Sequence, residues 1–186
     1  RTPARPTACA EAFQYWSFEP LEPRDPAAAL FYVSELAFYT YSMERASFDL
    51  INTGADGSAA AAGAYNSHGS PNVYTAVDGD FATDGEACCS GQNGIIVNLG
   101  EPVAISYFDW ATNSGAPSDA GSGAGSDPVR WVIKASSDGV DWVTKGGAIN
   151  KGFYEDERFM PSAARGAWQG PFSACGGKST QDFLCE

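Results

Sequence analysis

The segment Asp78-Gly79-Asp80-Phe81-Ala82-Thr83 gathers two carboxylates, a hydroxyl and a glycine within one short stretch. Carboxylate, hydroxyl and main-chain carbonyl oxygens are hard ligands, and Gly79 permits the bend that would bring them together. The chemistry on offer is coordination of Ca²⁺, which takes about 6–8 oxygens. The same residues also suit a purely hydrogen-bonded turn, since Asp-Gly turns form without metals. Catalytic chemistry has less to work with. The chain has one histidine, His68, set among the turn formers Asn66, Gly69, Pro71 and Asn72, and no Gly-x-Ser-x-Gly occurs. Acidic residues are plentiful, but no pair of them is distinguished by spacing. The expectation is a chain that is not an enzyme.

The five cysteines, Cys9, Cys88, Cys89, Cys175 and Cys185, form no Cys-x-x-Cys and no zinc-type spacing. Adjacent Cys88 and Cys89 are badly placed to bridge each other, because relaxed disulfides need a wider separation of α-carbons. A bridge between Cys175 and Cys185 would pin the carboxy-terminal end, and Cys9 could staple the amino-terminal arm to Cys88 or Cys89. The pairing stays open. Such usage points to an oxidising compartment, extracellular or the lumen of an organelle, against the alternative of free buried thiols. The chain begins at Arg1, which raises the expectation that a targeting segment was removed or lies upstream.

Charge and composition narrow the partners. Of 186 residues, 11 are Lys or Arg and 23 are Asp or Glu, a formal net charge of −12. This argues against nucleic acid, whose phosphates require clustered cations, and against a polybasic membrane anchor. No apolar run approaches the roughly 20 residues of a helical membrane span. The 21 Gly and 11 Pro mark a loop-rich chain.

The elements that must position these residues read as short strands between Gly/Pro turns. Tyr15, Trp16 and Phe18 suit a strand that Pro20 ends. Residues 30–39 suit one or two strands, although the preceding Ala run leaves helix open. Residues 94–99 read as an apolar strand closed by a Gly100-Glu101-Pro102 turn. The next strand, 103–110, would place Val103, Ile105, Tyr107 and Asp109 on one face and Ala104, Ser106, Phe108 and Trp110 on the other. Residues 131–136 and 142–144 form a hairpin about Asp138-Gly139, with Trp131 and Trp142 packing across or beneath it. Residues 54–63 and 113–126 are Gly/Ser/Ala-rich loops. Several short strands with turns between them indicate an all-β sandwich or barrel.

Three of these segments stand in a telling order: AVDGDFAT at 76–83, IIVNLGEPV at 95–103 and DPVRWVIKASSDGVDW at 127–142. Together they resemble the discoidin family, also called coagulation-factor type C, which includes galactose-binding-like carbohydrate modules. The family shows an Ala-Asp-Gly turn followed by Thr, then an I-x-x-LG-x-P-V strand, then DP-x-x-W-x-(I/L)-x-x-S-x-DG-x-x-W. Tyr15-Trp16-Ser17-Phe18 and Val33-Ser34-Glu35-Leu36 also look like its opening strands. The likeness covers roughly residues 14–147. It implies a jelly-roll β-sandwich with ligand loops at one end and, commonly, a structural Ca²⁺. Asp78, Asp80 and Thr83 match the family's calcium turn, Asp78 and Thr83 through side chains and Asp80 through its carbonyl. Glu155, Asp156 and Glu157 are candidates to complete the shell. Where the family places Trp soon after that Thr, this chain has Asp84 and Gly85. The loop before Asp127-Pro128 lacks the Arg of sugar-binding members and offers Asn113 and Asp119 instead.

The expected organisation is an extended arm over 1–13, a discoidin-like sandwich over 14–150, and an irregular carboxy-terminal tail over 151–186 packed on it. The expected function is non-catalytic recognition of carbohydrate, or adhesion, through the loops 84–93 and 112–126 and the pair Phe153-Tyr154. Trp110, Asn113, Asp119, His68 and Tyr154 are the candidate ligand contacts. Trp110 could equally pack at the rim, and His68 could be a solvated loop residue. The alternative, from a different class, is a structural subunit of a larger assembly, with the sandwich as scaffold and the termini wrapping neighbouring protein subunits.

Overall fold

The computed structural model describes residues 11–28, 30–42, 63–65, 73–82, 85–86, 94–113, 124–147, 159–162 and 164–174. The fold is built from strands: β1 (Phe13–Pro23), β2 (Tyr32–Val33), β3 (Glu35–Tyr39), β4 (Gly63–Tyr65), β5 (Gly85–Glu86), β6 (Ile95–Val103), β7 (Tyr107–Ala111), β8 (Pro128–Ser136), β9 (Val143–Gly147) and β10 (Trp168–Ser173). Among the described residues helix is confined to two short 3₁₀ turns, Val73–Ala76 and Ala124–Ser126. A five-stranded sheet runs β4-β6-β1-β8-β9, a three-stranded sheet runs β10-β7-β3, and β2 pairs with β5. Every described pairing is antiparallel. Among the described residues no helix is long and apolar enough to cross a membrane.

Aromatic residues on the inner faces join the two larger sheets into a sandwich. Successive side chains of a strand point to opposite faces, so Trp16 and Phe18 on β1 share one face, and Val129, Trp131, Ile133 and Ala135 on the adjacent β8 lie on that same face; all six are at most 1% exposed. Phe18 lies 6.2 Å from Phe108, 6.3 Å from Trp110 and 6.0 Å from Trp131. Trp16 meets Phe38 at 6.2 Å, and Trp131 meets Phe172 at 5.1 Å. Each of these contacts except Phe18–Trp131 crosses between the sheets.

Four local features depart from what residue types suggest. β1 does not stop at Pro20 but continues to Pro23. The ladder with β8 shifts register between Pro20 and Glu22, and the pairing with β6 ends at Phe18↔Ile95. Proline is tolerated there because no regular ladder position demands its missing N–H. Gly100-Glu101-Pro102 does not close β6 either. Phe13 pairs with Val103 and Tyr15 with Asn98, so residues 99–102 bulge from the ladder, and Asn98 Oδ1 accepts the Gly100 amide at 2.9 Å. The even alternation expected over 103–110 is broken. Ile105, Phe108 and Trp110 are buried together, because residues 104–106 lie outside any strand and let the chain change face. Finally, the expected irregular tail contributes a strand: β10 pairs with β7 and supplies Phe172 to the core. The sandwich therefore extends beyond residue 150.

The β8–β9 hairpin shows what Ser-x-Asp-Gly does. Ser136 Oγ donates to Asp138 Oδ1 (2.9 Å) and accepts the amides of Asp138 (3.3 Å) and Gly139 (2.9 Å). Asp138 Oδ1 also accepts the amides of Val140 and Asp141, each at 2.9 Å. Gly139 takes φ 77°, which an L side chain adopts only with strain. The amides of Val140 and Asp141, with the Ser136 hydroxyl, hold the Asp138 carboxyl below its ordinary value of 3.8. A depressed folded-state pKa contributes stability that is present above the unfolded value and is lost as pH falls through the folded one. Asp138→Asn should therefore lower the melting temperature at neutral pH. The gap from the parent protein should close as pH drops below the ordinary carboxylate range. Melting curves across that range check this, and a gap independent of pH would contradict it.

Candidate functional site

Strand register builds one end of the sandwich. Glu35 on β3 and Trp168 on β10 both pair with Ala111 on the intervening β7, so the three residues form one row across the three-stranded sheet. Two connecting segments converge on this row, the acidic turn 77–82 and the loop 164–167.

Thr112, just past β7, clamps the loop. Its hydroxyl donates to the Ala164 carbonyl (2.6 Å) and accepts the Ala167 amide (2.9 Å). Its own amide donates to the Ala167 carbonyl (3.1 Å), and its carbonyl accepts from Gly166 N (3.0 Å) and from the Ser34 hydroxyl (2.7 Å). One residue thus fixes the loop on one side and the start of β3 on the other. This end is anchored further by Asp127, whose carboxylate is 1% exposed. It accepts the Asn113 amide at 2.8 Å and pairs with Arg24 Nη2 at 3.1 Å. Arg24 Nη2 also donates to the carbonyls of Pro161 and Ser162.

The acidic turn is held against Glu35. This carboxylate is fully buried, and its Oε1 accepts the Gly79 amide at 2.5 Å. Within the turn, Asp78 Oδ1 accepts the Asp80 amide (2.8 Å) and Asp80 Oδ1 accepts the Ala82 amide (2.9 Å). Gly79 has φ 81°. The arrangement puts two carboxylates, Asp78 and Asp80, on one short turn and a third, Glu35 of β3, against the turn's Gly79 amide. Two of the calcium-turn residues, Asp78 and Asp80, are in this turn, and Thr83 lies outside the described residues. Among the described residues no group of three or more His, Cys, Asp or Glu side chains is placed to hold a metal ion. The turn's own amides engage one oxygen of each carboxylate.

At the tip of the turn Phe81 meets Trp168 edge to face, with centroids 5.3 Å apart and planes at 89°. Both are exposed, 38% and 40%.

The expected ligand contacts fare differently. Trp110 is fully buried, packed against Phe18, Trp131 and Phe159, so it offers no stacking face to solvent. This corrects the stacking role. A β7 residue paired with Leu36 and Gln169 on either side lies inside the sheet, not at its rim. Asn113 is 1% exposed, so it is a structural residue of this end. Trp142 is half-buried beside the hairpin. His68, Asp119, Tyr154, Glu155, Asp156, Glu157 and the cysteines Cys9, Cys88, Cys89, Cys175 and Cys185 lie outside the described residues, as does the Phe153-Tyr154 pair. Reasoning from sequence missed Glu35, Phe81, Thr112 and Trp168 as site residues. A signal existed for two of them: Glu35 is a carboxylate inside the apolar run Val33–Phe38, and Phe81 is an aromatic inside a polar turn.

Thr112→Val, which keeps the shape and removes the hydroxyl, should destabilise the protein by about 1–2 kcal/mol. It should also speed amide exchange at Gly166 and Ala167 far more than in β1 or β8. Uniform exchange across the sheets would show that the hydroxyl does not clamp the loop. Compared with known proteins, the chain matches no family model, no curated protein and no solved structure, so the discoidin likeness rests on the three motifs quoted from the sequence.

Proposed function

We propose that the chain is a non-catalytic binding module of discoidin-like, jelly-roll type, recognising carbohydrate or mediating adhesion through the loops at one end of its sandwich. The observation that carries this reading is the convergence of the turn 77–82 and the loop 164–167 on the Glu35–Ala111–Trp168 row. There a rigid sheet end presents exposed aromatic surface beside carboxylates, the mixture of flat apolar faces and polar groups that sugar rings require. Ca²⁺ belongs to the same proposal, held at the acidic turn by Asp78, Asp80 and Thr83, with Glu155 or Glu157 as further ligands. Buried Glu35 supports the turn from beneath. The five cysteines in the sequence support a location outside the cell or in an oxidising lumen as part of this proposal.

A second reading, a structural subunit of a larger assembly, is favoured by the β8–β9 hairpin. Among the described residues β9 is an edge strand, and Val140 just before it and Val143 at its start are 76% and 47% exposed, a composition suited to a neighbouring chain.

Screening the protein on a glycan array with and without Ca²⁺ tests the first reading. It predicts saturable binding of a defined glycan class, and a melting temperature that rises with Ca²⁺ and falls back with chelator. Absence of glycan binding in both conditions, together with recovery of the native protein only as part of a stable complex, would replace it with the second.

A further inference from the structure

We infer that β9 is a self-pairing edge: two copies of the chain join through it, strand against antiparallel strand, about a two-fold axis. This takes the β9 edge noted above, names the chain that covers it, and holds whether or not the Trp168 end binds a sugar. Among the described residues four strands lie at sheet edges, β4, β9, β10 and β3. β4 is three residues long, which blunts it as a template. On β3, Glu35 and Tyr39 have further interactions, and on β10 so do Pro171 and Ser173. β9 differs. Over Val143–Gly147 it pairs with β8 on one side and, among the described residues, with no strand on the other. Such an edge presents a row of amides and carbonyls that another strand can take. Thr144 is exposed, and Val143 and Val140 add apolar surface for an incoming chain to cover.

The charge on β9 selects the occupant. Lys145 is the one ionisable residue of the strand, and the register shift between Ile133 and Lys134 makes it the extra residue of a bulge. Lysines and bulges ordinarily guard an edge. A lysine guards best against an identical strand, because in the register that pairs all five residues Lys145 meets its own counterpart at the axis, like charge against like. In this chain the guard is neutralised. Lys145 Nζ is ion-paired with Glu11 Oε2 and its side chain is only 19% exposed. It also lies 4.3 Å from the centroid of the Phe13 ring. Glu11 and Phe13 stand at the start of β1, so each copy neutralises its own lysine. The rest of the strand is self-complementary. In that register Val143 and Thr144 lie across from Gly147 and Gly146 of the other copy, so branched side chains stand beside residues that have none. The pairing is isologous, so it closes with two copies and leaves no β9 edge for a third. Antiparallel pairing reverses strand direction across the axis. The two Trp168 ends of the dimer therefore face opposite ways, which suits a bridge between two surfaces.

The test is analytical sedimentation of the full chain over a concentration series at about 0.15 M salt, with hydrogen exchange of the β9 amides followed at both ends of the series. A reversible dimer by about 100 μM is expected, in keeping with a small interface between two chains that each carry −12. The β9 amides should exchange more slowly in the dimer, and those of β4 at an unchanged rate. Glu11→Gln, made at a side chain 71% exposed, should weaken the dimer about three- to ten-fold by leaving both lysines charged at the axis. Adding Lys145→Gln to it should restore the affinity. Val143→Glu should give a monomer whose circular dichroism matches the parent protein. A chain that stays monomeric to about 1 mM, or a dimer whose β9 amides exchange as fast as in the monomer, would overturn the inference. So would an unchanged affinity in Glu11→Gln, and so would protection of β9 only inside a complex with a different chain. The glycan array tests the binding reading separately, so the failure of either leaves the other standing.

Discussion

Phe18 stands where the two sheets meet. Its ring touches Phe108 and Trp110 on the three-stranded sheet and Trp131 on its own, and it has no exposed surface. Burying a ring of this size contributes about 1.5–3 kcal/mol, but its geometric effect matters more. Because Phe18 locks β1 and β8 over β7, the end of β7 and the start of β8 come to the same end of the sandwich. The connection between them is closed by Asp127, which receives the Asn113 amide and the Arg24 guanidinium. Each segment of the candidate site is hung from this arrangement: the acidic turn through Glu35, the loop through Thr112, and Trp168 through its pairing with Ala111.

The two halves of the longest sequence motif have separate tasks. Asp127-Pro128 opens β8 at the site end, and Ser136-x-Asp138-Gly139 closes it after nine residues, about 25–30 Å away. The Asp-Gly turn is satisfied by its own amides and by Ser136, and its contribution is to end one strand cleanly and start the next. Asp127 works by tying three stretches of chain together near the row that carries Trp168. The residues with the most specific spacing are therefore structural. The exposed groups able to meet a ligand, Phe81 and Trp168, carry no motif of their own.

This division explains what could be read from the residues alone. Alternation made β8 legible because it buries one regular face, whereas most of β1, β3 and β6 was legible from aromatic and β-branched composition, since these strands bury consecutive residues on both faces. Pro20 and Gly100-Glu101-Pro102 misled because a bulge absorbs a residue that would otherwise break a ladder. β10 was hidden for a similar reason. Gly170-Pro171 sits in its middle, where the register with β7 shifts between Gln169 and Phe172, and a Gly-Pro pair in isolation reads as an interruption. Trp110 lies beside a long loop in the sequence, but registry on both sides fixes it in the core. The acidic turn was visible as chemistry, whereas its buried support, Glu35, lies far from it in the chain, and nothing local relates the two.

The candidate site exists only if β10 brings Trp168 to the tip of the acidic turn. Proton–proton Overhauser contacts in the full chain measure this directly. Contacts between the Phe81 ring and the Trp168 indole are predicted, together with cross-strand contacts from Trp168 to Ala111. A Trp168 indole remote from Phe81, with β7 lacking a partner on its β10 side, would contradict it.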